Sequence, residues 1–208
     1  MNPVHIVEGR AVPLGRSDVD TDQIIPSEWL KRVERTGFGR GLFSEWRDDP
    51  DFVLNQPDYQ GAVILLAGPR FGTGSSREHA VWALMDYGFS AVIAPTFGDI
   101  FRNNSSKQGL VIVQLPPDDV NYLDNLVRET PSTVIVVDVE RRVVEVPATG
   151  WSRDFPLDST LRERLLNGWD DIGLTLRHVE DIASYETSRA RFTLDGVFDP
   201  RGRARSEA

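Results

Sequence analysis

A glycine-rich segment, residues 68–80, carries the side chains with the clearest capacity for chemistry. It reads GPRFGTGSSREHA and lies between a predicted buried strand and a predicted helix. At such a junction, backbone N–H groups and the helix dipole attract anions, and glycines let a ligand approach the backbone closely. Arg77 has the donor geometry for a carboxylate, and the surrounding N–H groups can stabilise an alkoxide at Ser75. The segment therefore predicts an anion site.

Other interpretations of this segment exist. Ser75 and Glu78 have the spacing of a capping box, in which both residues serve only to begin the helix, and for Glu78 we favour that role. A P-loop is excluded because no Gly-Lys-Ser/Thr sequence is present. A dinucleotide fingerprint is disfavoured because Arg77 stands at the place of its third glycine.

A second candidate is the run of alternating aspartates Asp18, Asp20 and Asp22. Their spacing imitates positions 1, 3 and 5 of a calcium loop, but Gln23 replaces the required glycine and Trp29 the final glutamate. An ordinary acidic turn explains any one of them. The three together still suggest a site.

Composition narrows the function classes. The 208 residues include 32 Asp and Glu against 23 Lys and Arg, a net charge of −9, which disfavours a general nucleic-acid binder.

The chain has no cysteine, so it has no thiol nucleophile and no thiolate for an iron–sulfur cluster. His5, His79 and His178 are too dispersed for a metal-ligand pattern, and we expect no metal site. No signal-like or membrane-spanning apolar run is present, so we expect a cytoplasmic protein.

Strands and helices alternate around the glycine-rich segment. We predict short strands within 4–14, loops and short helical turns over 15–60, and an antiparallel strand pair at 134–139 and 143–146. The alternating part comprises strands at 62–67, 91–94 and 110–114 and helices at 76–87, 98–107 and 117–129, and two more helices are expected at 159–166 and 179–189. We expect one α/β domain over residues 1–195, a mixed sheet flanked by helices, followed by a polar, disordered tail at 196–208.

These motifs resemble a known family. The matching blocks are DVDTD at 18–22, GSSREHA at 74–80, WAL at 82–84, DYGF at 86–89 and DIFRNN at 99–104. In this order and spacing they resemble the small subunits of 3-isopropylmalate dehydratase, which correspond to the swivel domain of the aconitase superfamily. The resemblance covers about residues 15–114 and weakens beyond Trp151.

The resemblance implies a β/β/α swivelling fold and a hydro-lyase of leucine biosynthesis that is active only with a large subunit. That partner would carry a [4Fe–4S] cluster whose open iron acts on the leaving hydroxyl. By motif, Ser75 corresponds to the catalytic base and Asp22 to an aspartate beside it. Ser76, Arg77 and Arg32 correspond to substrate-binding residues.

Two departures from the family pattern bear on these expectations. Ile25 replaces a polar serine of aconitases, which predicts a branched alkyl substrate rather than citrate. Arg70 precedes Phe71, where many relatives carry asparagine or aspartate. A homoaconitase or another hydroxy-diacid dehydratase is the nearest alternative, and a non-catalytic module that binds an organic anion is the alternative from another class.

Overall fold

The computed structural model describes residues 1–31, 36–188, 191–192 and 198–199. The chain divides into two compact units, one covering Met1–Asp170 and one beginning at Asp171. The expectation of a single domain over 1–195 stays a prediction. Most of the tail at 196–208 lies outside the described residues, although Phe198–Asp199 within it forms a strand.

A seven-stranded mixed sheet organises the first unit. Its strands are β1 (Ile6–Pro13), β2 (Ile64–Leu66), β3 (Ala91–Ala94), β4 (Val111–Gln114), β5 (Val134–Asp138), β6 (Val143–Val146) and β7 (Trp151–Asp154). The spatial order is β4-β3-β2-β1-β5-β6-β7. Strands β1 to β4 pair in parallel, and β5 to β7 continue the sheet from β1 in antiparallel pairs. The predicted α/β class with a mixed sheet is confirmed.

Strand β1 belongs to both halves of the sheet. Its first part, Ile6 to Arg10, pairs antiparallel with β5, and its last part, Ala11 to Pro13, pairs parallel with β2. The parallel strands are short, apolar and buried, as expected for strands covered by helices on their faces. Strand β7 was not predicted from the sequence because WSRD is polar and largely exposed.

Six helices belong to the described part of this unit. They are α1 (Thr21–Ile24), α2 (Ser44–Arg47), α3 (Glu78–Tyr87), α4 (Asp99–Gln108), α5 (Pro117–Glu129) and α6 (Ser159–Asn167). Helix α3 packs against α4 and against the turn Phe38–Gly41, and α5 packs on β1, β2 and β3. Pro117 starts α5 at a position where its missing N–H costs nothing, and Gly88 ends α3.

The stretch 15–60 contains loops and short helical turns, as predicted. Besides α1 and α2 it forms four 3₁₀ turns, at Ser27–Lys31, Phe38–Gly41, Val53–Asn55 and Pro57–Tyr59. These turns place aromatic side chains in the core, with Phe38 and Phe43 almost fully buried. Burial of such rings stabilises a segment that has little regular hydrogen bonding of its own.

In the second unit, the described residues form two helices and a strand pair. Helix α7 spans Asp171–Leu176 and α8 spans Val179–Ser188. Strands β8 (Arg191–Phe192) and β9 (Phe198–Asp199) pair antiparallel. Among the described residues of the whole chain, no helix has the length and apolarity to cross a membrane.

Alanine variants at two glycines with similar φ angles, Gly72 and Gly150, test how tightly the glycine-rich loop packs. Gly72 has φ +74°, and an added Cβ would stand 2.3 Å from Cγ of Phe101, whereas Gly150 has φ +69° with nothing within 4 Å. Both alanine variants incur a left-handed backbone penalty of about 1–2 kcal/mol. Gly72→Ala adds overpacking of about 1–3 kcal/mol and is expected to lower the free energy of unfolding further. Urea unfolding measures the difference, and equal losses would contradict tight packing at Gly72.

Candidate functional site

Two loops at the carboxyl ends of β1 and β2 are joined by backbone hydrogen bonds. Gly72 N donates to Val19 O at 2.7 Å, and Thr21 N donates to Thr73 O at 2.9 Å. The carboxyl edge of parallel strands is where ligands bind in open α/β sheets. The aspartate-rich loop and the glycine-rich loop, separate in sequence, therefore form one surface here.

Thr21 continues this connection through its side chain. The residue is only 2% exposed, and its Oγ1 donates to the backbone oxygen of Ser75 at 3.0 Å. Because Thr21 is also the first residue of α1, it connects the Ser75 backbone to the helix that carries Asp22. This role was not predicted from the sequence. The position of Thr21 between two candidate site aspartates was the one signal that it belongs to the site.

Arg77 and Asp22 form the ion pair at the centre of the site. Arg77 Nη1 lies 2.5 Å from Asp22 Oδ1 and donates to Ile25 O at 3.3 Å. The Arg77 side chain is 16% exposed and that of Asp22 is 56% exposed. Within the described residues, Nε and Nη2 of Arg77 have no hydrogen-bond acceptor. They remain free to hold a carboxylate in a two-pronged contact.

The start of α3 corrects one prediction. The helix begins at Glu78, with Arg77 as its N-cap in extended backbone at φ −130° and ψ 97° and without a side-chain cap. The predicted capping box of Ser75 and Glu78 is therefore wrong. Glu78 instead accepts a hydrogen bond from Gln108 on α4. Ser75 and Ser76 precede the helix and are exposed.

The three alternating aspartates have three different partners. Asp20 caps α1, because its side chain accepts from Gln23 N at 2.8 Å while the Gln23 side chain bonds back to Asp20 N. Asp18 pairs with Arg70, and Asp22 pairs with Arg77. Within the described parts of the chain, no group of three or more side chains is suited to a metal ion. The similarity to a calcium loop is one of spacing only.

The pairing of Asp18 with Arg70 explains an unusual residue. Arg70 has φ +60°, a left-handed conformation in which asparagine and aspartate are common and arginine is not. Its side chain binds Asp18, and its backbone N donates to Thr96 Oγ1 at 2.8 Å. These contacts offset the strain at a turn that adjoins Phe71 and the glycine-rich loop.

An acidic depression borders the outer side of Asp22. Its volume is about 220 Å³, and four carboxylates line it, those of Asp20, Asp22, Glu28 and Glu45. This concentration of negative charge opposes entry of a dicarboxylate from that direction. The positive charge in this ion pair is that of Arg77, so Arg77 is the group that attracts an anion.

Ile25 follows α1 directly, and its side chain faces away from the cluster into the core. The side chain of Ile25 is fully buried and is part of the core, and its bearing on the choice of an alkyl substrate stays a prediction. Only its backbone oxygen reaches the site, through Arg77. Arg32 lies outside the described residues, and its role as a substrate-binding residue stays a prediction.

The hydroxyl of Thr21 can be tested separately from its bulk. Thr21→Val removes the hydrogen bond to Ser75 but keeps the shape. Because a neutral hydrogen bond contributes about 1 kcal/mol, amide hydrogen exchange across residues 73–77 should rise roughly fivefold. Thr21→Ser keeps the hydroxyl and should leave exchange there close to that of the unmodified chain. An equal rise in both variants would show that the methyl group, rather than the hydrogen bond, holds the loop.

Comparisons with known proteins identify the family of the chain. The family model of the aconitase C-terminal domain matches residues 1–118, and that of the C-terminal domain of the 3-isopropylmalate dehydratase small subunit matches residues 171–196. The small subunit of 3-isopropylmalate dehydratase from Rubrobacter xylanophilus is 62% identical over 192 residues, 92% of this chain and 97% of that protein. The same subunit from Parafrankia sp. strain EAN1pec is 62% identical over 189 residues, 91% of this chain and 96% of that protein.

A solved structure agrees at the level of the fold. The crystal structure of 3-isopropylmalate dehydratase from Methanocaldococcus jannaschii superposes with a TM-score of 0.63 at 24% identity, covering 87% of this chain and 99% of that one. At this identity the likeness concerns the fold alone. On the family model that matches more than half of its length and on its curated relatives, the chain belongs to the family of 3-isopropylmalate dehydratase small subunits.

Proposed function

We propose that this chain is the small subunit of a heteromeric hydro-lyase that interconverts 2-isopropylmalate and 3-isopropylmalate in leucine biosynthesis, in the cytoplasm. The observation that carries the proposal is the cluster of Ser75, Arg77 and Asp22. It combines an exposed hydroxyl with a guanidinium whose Nε and Nη2 lack an acceptor among the described residues. Similarity to the small subunits named for this enzyme supports the substrate class.

In this mechanism Arg77 holds a substrate carboxylate and Ser75 moves a proton. The Ser75 alkoxide takes the proton from the carbon next to that carboxylate, and the electron pair of the broken C–H bond forms the double bond of the unsaturated diacid. The hydroxyl on the adjacent carbon leaves as the double bond forms. Hydroxide then adds to the carbon that lost the proton, and Ser75 returns its proton to the carbon that lost the hydroxyl, which together restore one water. Ser76 donates a further hydrogen bond to the substrate.

Asp22 makes this arrangement possible by orienting Arg77. The ion pair with Asp22 is made at Nη1, which holds the guanidinium in place and leaves Nε and Nη2 without an acceptor among the described residues. Its positive charge also favours the alkoxide of nearby Ser75. Arg32 is proposed to bind a second carboxylate of the substrate.

The iron–sulfur cluster that family membership implies does not fit this chain. The sequence contains no cysteine, and the described residues offer no group of three metal-ligating side chains. We assign the [4Fe–4S] cluster to a large subunit. This chain contributes the base and one carboxylate clamp, so the complete pocket requires both subunits, as a heterodimer or a larger assembly.

The alternatives receive less support. The relatives described above are named for 3-isopropylmalate dehydratase, which favours that substrate over homocitrate or another hydroxy-diacid. A non-catalytic anion-binding module would need affinity in the isolated chain. The acidic depression beside Asp22 and the net charge of −9 work against such affinity for a dianion.

Reconstitution tests the proposal directly. The purified chain is mixed with an anaerobically reconstituted large subunit, and ultraviolet absorbance follows the unsaturated intermediate from 2- or 3-isopropylmalate. Turnover is expected in the mixture and in neither subunit alone. Faster turnover of homocitrate than of isopropylmalate would favour the homoaconitase alternative. Tight diacid binding by the isolated chain without any complex would favour the anion-binding module.

The role of Ser75 has its own test in the reconstituted enzyme. Ser75→Ala should lower kcat by about 10²–10⁴-fold, the usual contribution of a positioned proton-transfer group. KM should change little, since Arg77 still holds the carboxylate. Ser152→Ala, at an exposed serine on β7, is the matched control and should keep full activity. A kcat within a few-fold of the unmodified enzyme would remove Ser75 from the role of base.

A further inference from the structure

A second candidate binding site lies between α4, β4 and α6. It is a cavity of about 80 Å³, open to solvent on one side. Five aliphatic side chains line it, together with a guanidinium and an amide: Leu110, Ile112, Leu157, Leu161, Leu165, Arg102 and Gln114. None of these residues belongs to the cluster of Ser75, Arg77 and Asp22.

Arg102 is the unusual member of this cavity. Its Nη2 donates to the side-chain oxygen of Gln114, a neutral acceptor. Its Nε is buried and has no hydrogen-bond partner. Within the described residues, no carboxylate lies at ion-pair distance from this guanidinium. A guanidinium beside aliphatic side chains and without a carboxylate partner leaves its charge uncompensated, so the site favours an anionic ligand.

The cavity also limits the ligand's size and character. Its volume is about half of the ~150 Å³ of an apolar protein cavity that holds benzene, a ring of six carbons. By that proportion it has room for an alkyl group of about three carbons. The leucine and isoleucine side chains favour such a group over a polar one. An anionic end would then meet Arg102 while the alkyl end fills the cavity.

We propose that this cavity is a binding site for a short aliphatic carboxylate of the size of isobutyrate. The carboxylate pairs with the positive charge of the Arg102 guanidinium at the cavity wall, because arginine stays charged and suits carboxylates. The alkyl group packs against Leu110, Leu161 and Leu165. This site is independent of the function proposed for Ser75.

Asp158 is the one carboxylate in the cavity lining, and it does not prevent anion binding. Its Oδ1 accepts hydrogen bonds from the backbone N–H groups of Thr160 and Leu161, at 2.9 and 3.2 Å. Asp158 is exposed at the start of α6, where the helix dipole and solvent weaken its repulsion.

The test uses the full-length chain with isobutyrate and its neutral isostere isobutyramide as probes. Methyl NMR of Leu110, Ile112, Leu161 and Leu165 reports on the cavity, and signals of the Ser75 loop report on the other site. Isobutyrate should give saturable shifts at the cavity methyls, with an affinity at least about tenfold above that of isobutyramide, because the charged contact is lost in the amide. Arg102→Met should remove that preference, whereas Arg141→Met, at an exposed arginine on the β5–β6 turn, should keep it.

Three outcomes would overturn the proposal. The first is equal affinity for acid and amide, which would make the cavity merely apolar. The second is the absence of saturable shifts at the cavity methyls, which would leave water as the acceptor for Arg102. The third is shifts confined to the Ser75 loop, which would mean that the acid binds only there. If Arg102→Met does not fold, the comparison of acid and amide in the unmodified chain still decides.

Discussion

The candidate site depends on the hydrogen bonds that join the loop after β1 to the loop after β2. Without the contacts of Thr21 to Thr73 and Ser75, α1 would have no fixed position relative to the start of α3. Asp22 and Arg77 are 55 positions apart, and their ion pair forms only because the two loops are held edge to edge. The buried Thr21 therefore holds α1, which carries Asp22, against the backbone of Ser75, two residues before Arg77.

Electrostatics at this surface favour a shared active site. Among the described residues, the Arg77 guanidinium lies beside a depression lined by four carboxylates and is already paired with Asp22. While the site is open to water, solvent screening weakens its hold on one end of a dianion. A second subunit that excludes water and adds positive charge would strengthen the same contact several-fold. The arrangement is consistent with a chain that acts on its substrate only in a complex.

Much of the fold was accessible from the sequence, because its parallel half has short apolar strands bounded by glycine and helices with ordinary ends. Element positions from β2 to α5 agree with the predictions to within about two residues.

Predictions from local sequence patterns failed where a contact with a distant residue determines the local structure. Ser75 and Glu78 match a capping box, but Arg77 turns toward Asp22 and Glu78 toward Gln108, so the helix begins later. The capping box forms at Asp20 and Gln23, where no distant residue competes. The burial of Ile25 was not predicted either, because sequence alone does not distinguish a site residue from a core residue beside it.

The dual pairing of β1 has a consequence for how the chain is made. Its first part pairs with β5. Ile6 therefore has no partner in the sheet until Asp138 is synthesised, 132 residues later. At a translation speed of roughly 5–20 residues per second, this segment spends about 7–26 s without its partner strand. An unpaired strand exposes its backbone N–H and C=O groups, which are a template for pairing with other chains. The nascent chain is thus exposed to misassembly until β5 leaves the ribosome, and chaperone binding in this interval would protect the N-terminal segment.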